Sequence, residues 1–355
     1  MKRLVLLSIV IIMIAGISCN NNIQKADKKD KMLLTKNIQY DVFIESPFGC
    51  DDRWWKDNIE RSKRFPFVKK IVKQVYAGDV KSYDLENNLL TVEQAKNMCS
   101  REDTFTFQRR YEPYDGYDTI IKKDLNPKQI NKIRFEEEWY FDDKTLEIEK
   151  EVTGICPMYA SYDNNTGEQR SESNPLFWIK FDNNKQAKTE KFLLTERIQY
   201  DVIIKEHKGG NKFLNTFNIE KLKFDVDTFI NTIINTVFND KVKAYEYDPY
   251  DFGNVILTGK EIKNSLTRID SITLQKPYEP YDWYDTVIVN TFNYKEIAVI
   301  RFLEEWYFDE ETLEIEKKVL GICPIIPAYD NATSEFKGYK PLFWIYFNDR
   351  YPPKE

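Results

Sequence analysis

Two glutamates hold the same place in two nearly identical stretches of this chain. Residues 134–157 read RFEEEWYFDDKTLEIEKEVTGICP and residues 301–324 read RFLEEWYFDEETLEIEKKVLGICP. They differ only at 136/303, 143/310, 144/311, 151/318 and 153/320. Strand alternation puts Glu137 on the side of Ile133, Phe135, Trp139 and Phe141, and Glu304 on the side of Ile300, Phe302, Trp306 and Phe308. A carboxyl group on an apolar face is pushed toward its neutral form and could act as a general acid. The same placement suits a carboxylate that pairs with lysine or arginine, or one that sits at a strand bulge. No second convergent carboxylate with a motif of its own accompanies Glu137 or Glu304, so a structural role ranks ahead of catalysis for these two acids.

Other chemistries are poorly supplied. His207 is the only histidine, which argues against a histidine triad or a histidine-rich metal site. No glycine-rich nucleotide fingerprint, phosphate-binding loop or Cys-x-x-Cys pair occurs, so neither a metal nor a cofactor is expected. Cys156 and Cys323 repeat within Gly-Ile-Cys-Pro and read as small hydrophobes on a strand, while Cys50 and Cys99 occur in one copy only. An oxidising compartment would permit Cys50 and Cys99 to pair, but spacing alone does not establish their geometry. The remaining distinctive motif is Tyr-Glu-Pro-Tyr-Asp. Tyr111, Tyr114, Asp115 and Tyr117 return as Tyr278, Tyr281, Asp282 and Tyr284. Such a loop reads first as tyrosines closing the edge of a core, and second as a contact surface, since tyrosine offers large area at low entropic cost.

The elements that would carry these groups come in two sets. Further matched segments are 33–42 with 193–202, 80–83 with 242–245, and 175–179 with 341–345. Repeats of this size are domains rather than solenoid units. The spacing predicts a strand over 38–44, an amphipathic helix over 67–76 and its counterpart from Phe229, and helix starts at Thr91 and Thr258. Two strands joined by Asp142–Thr145, or by Asp309–Thr312, and a final strand from Leu176 complete each unit. The expected fold is α+β: two tandem homologous domains, each a mainly antiparallel sheet with a few packed helices. Their limits are 33–183 and 193–351, joined by a linker at 184–192.

Ahead of them, Lys2 and Arg3 precede an apolar run from Leu4 to Ile17, too short for a confident bilayer span but suited to a signal peptide over 1–18. The small residues before Cys19 resemble a bacterial lipoprotein signal, which implies an acylated Cys19 inserted in membrane lipid, followed by a polar tether over 19–32. The chain has 355 residues, 31% of them charged, and a formal net charge of −6. That balance, with no basic stripe, argues against a nucleic-acid partner.

The ordered strand motifs resemble the GldN/PorN gliding-motility family: AGDVKSYD at 77–84, IRFEEEWYFDDKTLEIEKEVTGICP at 133–157 and PLFWIKF at 175–181. The second copy has IRFLEEWYFDEETLEIEKKVLGICPIIP from 300 and GYKPLFWIYFNDRY at 338–351. The resemblance implies a non-enzymatic part of the type IX secretion machinery, found in the periplasm, with a GldK-like lipoprotein as partner in a ring. This chain departs from it in carrying two units and an anchor of its own. Together these readings give the expectation of a lipid-anchored interaction protein of the cell envelope, at the outer membrane and facing the periplasm. A glycan- or peptide-binding lipoprotein is the alternative reading, and a carboxylate-dependent hydrolase ranks last.

Overall fold

The computed structural model describes residues 31–45, 58–160, 173–181, 190–207, 216–217, 225–248, 253–330 and 333–352. The leader, Cys19, Cys50 and most of the expected linker lie outside the described residues.

The first repeat runs β1 (Met32–Phe43), α1 (Arg61–Ala77), β2 (Ser82–Tyr83), α2 (Val92–Met98), β3 (Ser100–Gln108), β4 (Gly116–Asp124), β5 (Ile130–Phe141), β6 (Ile148–Tyr159), β7 (Asn174–Pro175) and β8 (Trp178–Lys180). The second runs β9 (Phe192–Ile203), β10 (Thr216–Phe217), α3 (Val226–Phe238), β11 (Ala244–Glu246), β12 (Ile256–Leu257), α4 (Gly259–Leu266), β13 (Arg268–Gln275), β14 (Trp283–Asn290), β15 (Val299–Phe308), β16 (Ile315–Tyr329), β17 (Phe336–Pro341) and β18 (Phe343–Tyr346). Fold class is therefore as expected, mainly antiparallel sheet with four α-helices among the described residues. Thr91 and Thr258 each close a capping box, with Gln94 and Glu261 as their reciprocal partners. The first helix begins at Arg61, ahead of the apolar spacing that predicts it from Phe67.

Three long strands of each repeat pair in the order β1–β5–β6 and β9–β15–β16. The two sets join where β6 meets β16, at Lys150 opposite Lys317. Beyond that point β6 pairs instead with β8 and β7, and β16 with β18 and β17. Tyr40 on β1 and Tyr200 on β9 belong to the two ends of this six-strand order, yet their rings stack with centroids 5.7 Å apart. The strands thus curl around a common interior.

Each repeat also reaches across to the other. Asn58, which follows β1, bonds the backbone of Gln199 through both its amide atoms and accepts from Thr195 Oγ1 through its own carbonyl. Reciprocally, β10 of the second repeat pairs with β1 at Gln39 and Tyr40. Phe67 of α1 packs edge-on against Phe308 at 4.8 Å, and Phe229 of α3 packs edge-on against Phe141 at 5.0 Å. The helix of each repeat therefore covers part of the other repeat's sheet, and the two halves bury one shared core.

Both hairpins β5–β6 and β15–β16 carry a bulge beside the repeated glutamate. The register slips between Glu136 and Glu137 opposite Gly154 and Val152, and between Leu303 and Glu304 opposite Gly321 and Val319. Glycine is needed at this corner because the last strand crosses close by. A Cβ on Gly321 would sit 2.8 Å from the Ile345 carbonyl oxygen, and one on Gly154 would sit 3.1 Å from that of Ile179. Gly321→Ala is expected to lower stability by about 1–3 kcal/mol in urea unfolding. Gly154→Ala should cost less, and equal or negligible losses at both sites would contradict this account of the corner.

Candidate functional site

Glu137 and Glu304 are fully buried at 0% exposure, and their partners come from the opposite repeat. Lys317 Nζ meets Glu137 Oε1 at 2.7 Å, and Lys150 Nζ meets Glu304 Oε1 at 2.8 Å. The second oxygen of each carboxylate is saturated from within its own repeat. Tyr40 Oη and Trp139 Nε1 donate to Glu137 Oε2 at 2.5 and 2.7 Å, and Tyr200 Oη and Trp306 Nε1 donate to Glu304 Oε2 at 2.7 Å each. The lysines also donate to the phenol oxygens, Lys150 to Tyr200 at 3.0 Å and Lys317 to Tyr40 at 3.2 Å. The two phenol oxygens stand 3.2 Å apart. Each ammonium finally lies over an aromatic face, Lys150 over Phe302 at 3.0 Å and Lys317 over Phe135 at 3.1 Å from the ring centroid.

The residues upstream of this network explain its geometry. Trp139 sits opposite Lys150 across the β5–β6 ladder, and Trp306 opposite Lys317 across β15–β16, so each lysine is delivered to the interior beside a tryptophan. Tyr40 lies opposite Phe135, and Tyr200 opposite Phe302. Burial lowers the Lys150 pKa to about 8, against the attraction of Glu304 and Glu137. Burial would raise Glu304, but the charges of Lys150 and Lys317 outweigh it and hold the carboxyl below its ordinary range. Both groups are thus ionised at neutral pH. Burial, reinforced by the glutamates, drives the Tyr40 and Tyr200 phenols well above their ordinary value. The general-acid reading of Glu137 and Glu304 meets a physical obstacle here: both are sealed from solvent and hold an ion pair with a lysine.

The Tyr-Glu-Pro-Tyr-Asp motifs lie elsewhere. They form the tips of hairpins β3–β4 and β13–β14, two separate two-stranded sheets that pair with no other strand among the described residues. The expectation that the tyrosines close a core edge is corrected: Tyr111 is 81% exposed and Tyr278 66%, and Tyr114, Tyr117, Tyr281 and Tyr284 are exposed too. The tips nevertheless share one detailed geometry. Tyr114 N donates to Tyr111 O, Arg109 N to Asp115 O, and Gln108 Nε2 to Tyr114 O; Tyr281, Lys276 and Gln275 make the same bonds to Tyr278, Asp282 and Tyr281. Asp115 pairs with Arg109 and Asp282 with Lys276. Tyr114 and Tyr281 hold φ of 52° and 49°, a left-handed conformation rare for a bulky residue. Along the ribbons Phe107, Tyr117 and Ile121, matched by Leu274, Tyr284 and Ile288, put exposed apolar groups on one face.

Among the described residues no group of three or more histidine, cysteine or acidic side chains could hold a metal. Cys99 is a free thiol whose pKa burial pushes up to about 11. His207 lies apart, its Nε2 2.9 Å from Tyr339 Oη. The sequence reading missed Lys150, Lys317, Tyr40 and Tyr200. The available signal was that each has the same residue type in both copies at a position that alternation turns inward.

The family model for gliding motility associated protein GldN matches residues 56–199 and again residues 191–352. The chain belongs to the GldN family. Membership places it among the cell-envelope components of gliding motility and type IX secretion, which work in complexes with protein partners. No curated protein matches the chain. The two GldN matches span both crossed pairs and both hairpins.

Two expectations follow from the network. Lys317→Met leaves Glu137 buried without its ion-pair partner, and should cost about 3–5 kcal/mol in chemical unfolding, with the Glu137→Gln, Lys317→Met double variant costing less than the sum of the singles. The phenols set a pH dependence. Tyr40 and Tyr200 have folded pKa values above the unfolded value of 10.0, so the folded state binds more protons in alkali. Their stabilising contribution is complete below pH 10 and is lost as pH rises beyond it. Tyrosinate absorbance should show these two phenols ionising only as the protein unfolds, and a flatter alkaline stability profile is expected for Tyr40→Phe. An unchanged profile would refute the assignment.

Proposed function

We propose that this GldN-family chain is a non-enzymatic, lipid-anchored interaction protein of the cell envelope, with β3–β4 and β13–β14 as its contact surfaces for envelope protein partners. The anchor is an acylated Cys19 in the outer membrane, with the folded part facing the periplasm. The observation that carries the reading is the pair of projecting hairpins. A two-stranded ribbon has little stability of its own, and its exposed apolar groups gain nothing from folding. Yet both repeats keep the same tip, with the same bonds and the same left-handed tyrosine. Backbone strain that persists at an exposed loop points to a role in recognition. Tyrosines fixed in this way offer contact area with little entropy left to lose. Two such tips on one chain raise the effective concentration of the second contact once the first is made.

The core supports the same reading, because Glu137 and Glu304, the acids that could do chemistry, have no exposed surface for a substrate to reach. In a strain lacking the gene, a copy carrying Tyr111→Ala and Tyr278→Ala should accumulate to the normal level yet fail to restore surface spreading and secretion. Full rescue by that copy would remove the hairpins from the function. Cys19→Ser should shift the protein from the membrane to the soluble fraction; a variant that stays in the membrane pellet would rule out the acyl anchor.

A further inference from the structure

On the long strands, the face that each repeat turns toward the other carries the same residues, although the α1 contacts of Lys70 and Gln74 with Glu310 have no equal in the second repeat, which has Thr232 and Thr236 there. Phe135 packs on Trp306 at 5.0 Å and Trp139 on Phe302 at 5.2 Å, so each contact is the other with the repeats exchanged. Glu137 takes Lys317 while Glu304 takes Lys150, and Tyr40 stacks on Tyr200. Lys150 faces Lys317 directly in the strand register, which is where a two-fold axis must fall. A face of this kind is self-complementary: residue i meets residue j, and j meets i. Differences between the repeats fall on the other side of the same strands. Glu136, which holds Lys180, is replaced by Leu303, and the position of Lys180 opposite Gly154 is taken by Tyr346 opposite Gly321.

We propose that this junction is a homotypic assembly face whose fitting partner is a second copy of the same repeat. At the strand face, the crossed ion pairs and ring contacts do not distinguish a like pair from the unlike pair held within one chain. A first repeat meeting another first repeat regains both crossed ion pairs, Glu137 to Lys150 and Lys150 to Glu137, with Tyr40 against Tyr40. The chain is thus a homodimer joined end to end, and two chains whose junctions open can trade repeats. A lone repeat cannot keep this face exposed, because Glu137 and Lys150 would each lose the counter-ion that offsets their burial.

The test starts from the whole folded chain with a protease cleavage sequence inserted between Asn183 and Glu190. After cleavage, unfolding in urea and refolding, native mass spectrometry distinguishes the three pairings by mass. The expected result is both like pairs alongside the unlike pair. The second arm carries Glu137→Lys together with Lys317→Glu. This keeps opposite charges at both crossings of the unlike pair, but sets like charges against each other in both like pairs. In that variant the like-pair masses should vanish while the unlike pair remains. A native-sequence mixture that holds only the unlike pair overturns the proposal, as do halves that stay single or aggregate. Like pairs that survive the charge exchange overturn it equally.

Discussion

The architecture depends on two ion pairs that cross between the repeats. A carboxylate and an ammonium buried with no solvent contact are tolerated only when each finds an opposite charge and its remaining hydrogen-bonding capacity is filled. Here one lysine and one glutamate from each repeat are exchanged with the other, and tyrosine, tryptophan and phenylalanine rings fill the remaining directions. Hydrophobic burial alone would hold the halves together, but it would not dictate their register. The crossed charges do, since a slip of one residue along β6 or β16 would turn Lys150 or Lys317 to the outer face and leave a glutamate unpaired. The helices and the Asn58 and β10 crossings then follow from an arrangement that the charges have already positioned.

Much of this was legible in the residues themselves. Strand alternation placed Glu137 and Glu304 inside, and the Asp142 and Asp309 turns, the Thr91 and Thr258 caps, and the doubly buried strand at Phe177 and Trp178 were readable from local pattern. The partner of each glutamate was not legible, because it lies in the other repeat, and no local pattern relates positions so distant in sequence. The curling of the sheet escaped for the same reason: the approach of Tyr40 to Tyr200 is a property of six strands together. The hairpins were missed from the opposite cause. Strand pattern is recognised by one buried face, and β3–β4 and β13–β14 have none, so their tyrosines resembled a loop at a core edge.

The chain therefore divides its polar and aromatic residues between two tasks. Inside, aromatic rings surround charges and hold them still. Outside, aromatic rings stand in water on ribbons that no core supports, with Trp283 66% exposed. The same side-chain types contribute rigidity in one setting and exposed apolar area in the other, and what separates the two is whether the strand that carries them packs against the core. The ribbons have also diverged more than the interior, with Phe105 answered by Ile272 and Gly116 by Trp283, so two equivalent mounts present different surfaces.

The bulge at Glu136 and Leu303 has a consequence for how such a molecule can change. Residues facing the axis are counted twice, because a substitution in one repeat breaks a contact whose mirror image still stands. A viable change there needs a matching change in the other copy. The outer side of the same strands carries no such debt, and there Glu136 could become Leu303 while Lys180 gave way to Tyr346. Adjacent residues on one strand are thus held to different degrees, and the two copies differ at 136/303 and 180/346 while their axis-facing residues match.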